Sequence, residues 1–191
     1  MSRDRLACSR GEPGATPQCF ISYSWGVWQH ERWVVRLATD LRNSGIGVVL
    51  DQWDNAEPGS SIARFISLIA SCNFIVVVGT PEYKLKYDNQ VSPAGSIVAA
   101  EFDLISDRLM GTESDKRSVV PLLLAGEVET SFPPLLHRRK AVDVRRDEQY
   151  VLCLADLVIK MLGLSFSDPV IIDLRDSLQG EIPRAGALPV A

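Results

Sequence analysis

The sequence predicts a doubly wound parallel α/β sheet, and three observations carry that prediction. Short apolar runs at residues 19–23, 47–50, 74–78 and 119–124 have the length and composition of strands buried on both faces. Between them the pattern switches to helical spacing, with Gly, Ser and Pro as punctuation. The first strand, the first helix and the second strand fit within about thirty residues, the size of one βαβ unit, which favours parallel pairing.

Each element follows in order. Residues 1–16 carry Arg3, Arg5 and Arg10 among Gly, Pro and Ser, without the apolar run of a secretory signal, and are expected to be disordered. Cys19-Phe20-Ile21-Ser22-Tyr23 is the first strand and runs into the polar loop Ser22-Tyr23-Ser24-Trp25. From His30, the residues Trp33, Val34, Leu37, Ala38 and Leu41 form one apolar stripe, and Gly45 stops the helix. Gly47 to Leu50 is the second strand. The connection from Asp51 to Ser61 is long for a βα loop and chemically rich, which marks it as functional. Ser60 or Ser61 caps the next helix, built on Ile62, Phe65, Ile66 and Ile69.

Phe74 to Val78 is the most continuous apolar run and belongs at the sheet centre. Residues 82–95 read as a polar stretch, followed by a helix capped by Ser96, with Val98, Phe102, Ile105 and Leu109 as its stripe. Val119 to Leu124 is the fourth strand. The turn Phe132-Pro133-Pro134 leads to a short edge strand at 141–144, and a last helix from near Glu148 ends at Gly163. The domain therefore spans 17–164. Residues 165–191 drift to Asp, Pro, Gly and Ala and read as a tail or linker with one weak strand at 170–172. Five strands in this alternation give the flavodoxin-like order 2-1-3-4-5, with ligands at the carboxyl ends of strands 1 and 3. The loops 23–29, 51–61 and 80–96 all fall at that edge.

At 191 residues the chain buries a core without disulfides. Its 24 acidic and 20 basic side chains point away from a nucleic-acid partner. No stretch approaches the ~20 apolar residues of a membrane span. Cys8, Cys19, Cys72 and Cys153 form no CxxC pair and have no histidine at ligand spacing, so no metal site is expected and a reduced, cytoplasmic protein fits best.

Several catalytic plans are excluded. The chain has no P-loop, and Gly45-Ile46-Gly47 lacks the third glycine of a dinucleotide fingerprint and precedes its strand. A phosphoacceptor receiver needs an aspartate after strand 3, where Gly79-Thr80 stands. His30 and His137 lie beside no reactive Ser or Cys. What remains is centred on Glu101, which helical geometry sets roughly 60° off the apolar stripe. That position is the rim of the buried face, desolvated on one side and open on the other, as suits a group that touches substrate. From this stretch alone, pairing with Arg108 or capping a loop is the commoner explanation of such a glutamate. Backbone amides at Gly59-Ser60-Ser61 could hold a pyrophosphate or form a plain N-cap. Trp25, Trp28 and Trp53 could stack a purine or nicotinamide ring or pack on a helix. Asp51 could bind ribose hydroxyls or order its own loop.

Phe20-Ile21-Ser22-Tyr23-Ser24, Leu50-Asp51 and Pro58-Gly59-Ser60-Ser61-Ile62 resemble signatures of Toll/interleukin-1 receptor (TIR) domains. The run Leu41-Arg42-Asn43-Ser44-Gly45-Ile46, continuing to Leu50-Asp51-Gln52-Trp53-Asp54, resembles the bacterial SEFIR-like branch, as does Gly79-Thr80-Pro81-Glu82-Tyr83. The resemblance implies cleavage of NAD between nicotinamide and ribose by a glutamate in the helix after strand 3, a position that Glu101 matches. Many members carry Trp-Cys shortly before that glutamate; Ile97-Val98 stands here. It further implies a nucleotide site shaped by Ser22, Tyr23, Ser24, Trp25, Asp51 and Trp53, with Ser60 and Ser61 in a gating loop. NAD is then substrate and no cofactor is needed. Self-assembly through the 51–61 loop and neighbouring helices, a sensor domain or partner protein, and a role in anti-phage defence belong to the same expectation. Catalytically silent members imply the alternative of a homotypic interaction module, and a cyclic-nucleotide or ADP-ribose sensor is a third possibility.

Overall fold

A computed structural model describes residues 15–51, 68–89 and 93–180, with side chains of 93–100 excepted. The strands are β1 (Gln18–Ser22), β2 (Gly47–Val49), β3 (Phe74–Gly79), β4 (Val119–Leu123) and β5 (Val142–Asp143). They form one five-stranded sheet in the order β2-β1-β3-β4-β5, every pair parallel. The helices are α1 (Trp28–Asn43), α2 (Pro81–Asp88), α3 (Pro93–Met110), α4 (Glu113–Ser118), α5 (Tyr150–Met161) and α6 (Pro169–Gly180). A helical segment at 68–71 precedes β3.

Side-chain alternation along the strands separates two core layers. Cys19, Ile21, Val76, Val78, Val120 and Leu122 face α1 and α5, where Leu37, Leu41, Cys153 and Leu157 meet them. Phe20, Ile75, Val77, Val119 and Leu123 face the other way, against Ile69, Tyr83, Phe102 and Ile105. Neither layer has a face left for solvent, which is why the strands are continuously apolar. Gly45, at φ +85°, ends α1 in a backbone conformation that side chains disfavour. Gly79 closes β3 for a different reason: a Cβ there would lie 2.3 Å from the Phe132 ring.

Three local expectations are corrected. Residues 81–88 form α2 where a polar stretch was expected; Thr80 accepts the Tyr83 N–H and Pro81 occupies the first turn, so capping makes a helix whose surface shows little apolar periodicity. Helix α3 starts at Pro93, so Ser96 lies inside it and is no cap. Residues 170–172 are helical, within α6, because the Asp168 carboxylate accepts the Val170 N–H and Pro169 fits the first turn. Arg175 binds Asp156 of α5 at 2.6 Å, so the folded chain continues past Leu164. The disorder expected at 1–16 concerns residues that, but for 15 and 16, lie outside the described ones. Among the described residues no helix is long and apolar enough to cross a membrane.

Candidate functional site

Ser22 ends β1, so its side chain emerges at the carboxyl edge of the sheet, and alternation sends it to the α3 side with Phe20. Next to it the chain leaves β3 through the Thr80 cap, which fixes Tyr83 in the first turn of α2 with its ring fully buried. Helix α3 supplies the third wall. Phe102 and Ile105 anchor it in the core layer, and Glu101, one position earlier, faces the strand ends.

These three elements converge on one chain of hydrogen bonds. Ser22 Oγ donates to Glu101 Oε2 at 2.7 Å and lies 3.0 Å from the Tyr83 hydroxyl. A serine has one hydroxyl proton, and when Glu101 is ionised that proton goes to it, so Tyr83 is then the donor of the second bond. The relay runs from Tyr83 through Ser22 to the carboxylate, each bond polarising the next. Burial pushes the Glu101 carboxyl up to about 8, against the Ser22 hydrogen bond, which lowers it; the Asp51 charge adds to the rise. At pH 7 the resting group is mostly protonated. Burial, with the Glu101 charge beside it, likewise holds the Tyr83 phenol above its usual range.

Glu101 is 6% exposed, a correction to its expected half-open position at the rim of the helix. Helical spacing fixes its angle to the stripe, but the cover comes from Ser22 and Tyr83 on other elements. Its alternative partner is engaged elsewhere: buried Arg108 donates to the carbonyls of Ile69 and Cys72 at 2.6 Å each, and to Ala70 at 3.3 Å. Those are the orphan acceptors at the end of the 68–71 helical segment, which Arg108 closes.

A second group stands beside the first. The Tyr23 hydroxyl donates to Asp51 Oδ1 at 2.8 Å, and Trp25 Nε1 donates to Oδ2 of the same carboxylate. The two rings stack with centroids 6.2 Å apart. Ser24 is buried and donates to the Trp25 carbonyl, which also accepts from Lys86. Asp51 thus orders the loop after β1, a role distinct from the two expected of it. Trp25 and Trp28 are 46% and 59% exposed. The Trp28 ring has the Arg32 guanidinium 5.3 Å from its centroid.

Trp53, Ser60 and Ser61, with the rest of the 51–61 loop beyond Asp51, lie outside the described residues. Sequence reasoning missed Tyr83 as a site residue. Its signal was Thr80-Pro81-Glu82-Tyr83, a cap and a first-turn proline that aim an aromatic back at the strand ends. Among the described residues no His, Cys, Asp and Glu cluster could hold a metal. Cys19, Cys72 and Cys153 are buried free thiols.

The sheet order and the polar cluster at its carboxyl edge define a flavodoxin-like α/β domain with its candidate site at the switch between β1 and β3. The chain belongs to the TIR-domain family: the family model described as TIR domain matches residues 19–157. Its fold is similar to that of a prokaryotic SEFIR domain, with a TM-score of 0.52 and 21% identity over 87% of this chain and 99% of that one. It is also similar to the TIR domain of the Toll-related receptor TRR-2 from Hydra magnipapillata, with a TM-score of 0.53 and 18% identity over 75% of this chain and 96% of that one. No curated protein matches the chain.

Proposed function

We propose that this chain cleaves NAD at the bond between nicotinamide and ribose, with Glu101 as the catalytic carboxylate and Ser22 as its positioning group. The observation that supports the reading is a buried glutamate at the strand carboxyl ends whose titration falls near neutral pH. Nicotinamide in NAD is a cationic leaving group and needs no strong general acid. The C1′–N bond breaks with its electron pair going to nicotinamide, and positive charge develops on the ribose. A carboxylate beside C1′ stabilises that charge and accepts the ribose hydroxyls. Water then adds to C1′ and loses a proton, giving ADP-ribose; attack by an adenine nitrogen gives the cyclic product.

The resting proton on Glu101 fits this sequence. A bound pyridinium cation favours the ionised carboxylate and expels the proton to solvent. Activity at low substrate is therefore expected to rise as pH passes through about 8. Self-association that involves the loop following β2 accounts for control of the site, and NAD loss in an infected cell is the setting in which such control is useful. The test is nicotinamide release at rising protein concentration, wild type beside Glu101→Gln. Release that climbs faster than protein concentration and is lost in the variant supports the reading; equal release by both sinks it.

One observation favours a second reading, a catalytically silent interaction module. Glu101 is enclosed and protonated at rest, whereas Trp25 and Trp28 present aromatic surface to solvent. Self-association without nicotinamide release at any concentration is its signature.

A further inference from the structure

Connections that lead into parallel strands collect at the amino edge of the sheet, opposite Ser22 and Glu101. There β4, β5 and α5 line a half-open cavity of about 470 Å³. Arg117 reaches it from α4, Arg138, Arg139 and Lys140 from the segment before β5, and Lys160 from the last turn of α5. Val120, Val142, Leu157 and Phe166 make its apolar part.

The charge there is unbalanced. Asp156 lines the cavity but is engaged by Arg175 through Nε at 2.6 Å and Nη2 at 3.2 Å. Exposed Glu113, whose carboxyl feels Arg117 and Arg139, is paired with Lys116 at 2.7 Å. Arg139 gives one nitrogen to the Lys116 carbonyl. Among the described residues, no ion pair forms at Arg117, Arg138, Lys140 or Lys160. Lys160 is half-buried and held below the usual lysine range, by burial first and then by Arg139 and Arg117. Cations crowded around a partly desolvated cavity repel one another until an anion bridges them.

The chemistry of the walls defines that anion. Arginine forks and a lysine suit phosphate oxygens. The partly exposed Phe166 ring suits a flat aromatic group on the face away from the Arg175 guanidinium, which lies 5.4 Å from its centroid. The volume lies in the range of small-molecule sites, about 300–1,000 Å³. We propose that this cavity binds a nucleoside diphosphate or a phosphorylated molecule of like size, its phosphates on Arg117, Arg139 and Lys160 and its ring against Phe166. The site is separate from the reaction proposed above and does not depend on it.

The test is calorimetric titration of the full chain with ADP and, separately, inorganic pyrophosphate, at about 0.15 M salt. Both are expected to bind. Lys160→Met weakens both about tenfold or more, and so does Arg117→Gln, an exposed change that leaves the fold intact. Phe166→Ser weakens ADP about fivefold or more and leaves pyrophosphate unchanged. Glu101→Gln changes neither. No binding at millimolar ligand overturns the proposal, as do affinities indifferent to both Lys160→Met and Arg117→Gln. Loss of ADP binding in Glu101→Gln alone, or binding of an oligonucleotide but not of ADP, overturns it too.

Discussion

Replacing Glu101 by Gln should stabilise the protein at alkaline pH and leave it nearly unchanged in acid. The carboxyl titrates at 4.5 in an exposed chain and at about 8 in the fold. Because the folded value is raised, the folded state holds the proton more tightly, and the associated stability is complete below 4.5 and lost as pH rises through about 8. At about 1.4 kcal/mol per pH unit, ionising Glu101 in place costs the fold roughly 4–5 kcal/mol by pH 9. Gln keeps the shape and the acceptor oxygen for Ser22 but has no charge to desolvate. Denaturant unfolding of both proteins between pH 5 and 9 reads the difference, and groups common to both cancel. Stability curves that diverge from about pH 5, with the variant ahead by several kcal/mol at pH 9, are expected. Parallel curves across the range would mean that Glu101 is solvated like an ordinary surface carboxylate and that its burial is misread.

Ser22→Ala removes the group between Tyr83 and Glu101 and leaves the buried phenol without its acceptor. A loss of about 1–3 kcal/mol by denaturant unfolding is expected, together with an upward move of the Glu101 titration, since the Ser22 bond lowers it; carboxyl NMR shifts that stay in place refute the relay. Arg108→Met strips its donors from the Ile69 and Cys72 carbonyls and should lower stability by about 1–3 kcal/mol, with early amide exchange at 68–73 as the local sign. Gly79→Ala drives a methyl into the Phe132 ring and should cost about 1–3 kcal/mol. A double-mutant cycle with Phe132→Leu should recover part of that loss, and strict additivity would place the strain elsewhere.

The architecture was legible because strands buried on both faces must be apolar throughout and βαβ spacing leaves parallel pairing as the economical solution. Gly45 and Gly163 announced the ends of α1 and α5 because their positive φ is a local backbone property. Helix α2 escaped notice because its capping signal, Thr80-Pro81, is stronger than its periodicity, and α6 because three apolar residues after a proline read alike as strand or helix without the Arg175 anchor.

The sequence by itself determined the strands, their parallel order and the place of Glu101 on a helix between β3 and β4, since these rest on local spacing and on short right-handed connections. Only the tertiary structure decided what Glu101 touches. Its burial, its proton and its bond to Ser22 arise where the ends of β1, α2 and α3 meet. The same holds for the cations around the amino-edge cavity, scattered from Arg117 to Lys160 along the chain and gathered by the turns before β4 and β5. Desolvation and hydrogen bonding depend on neighbours that folding brings from distant segments, so no local pattern records them.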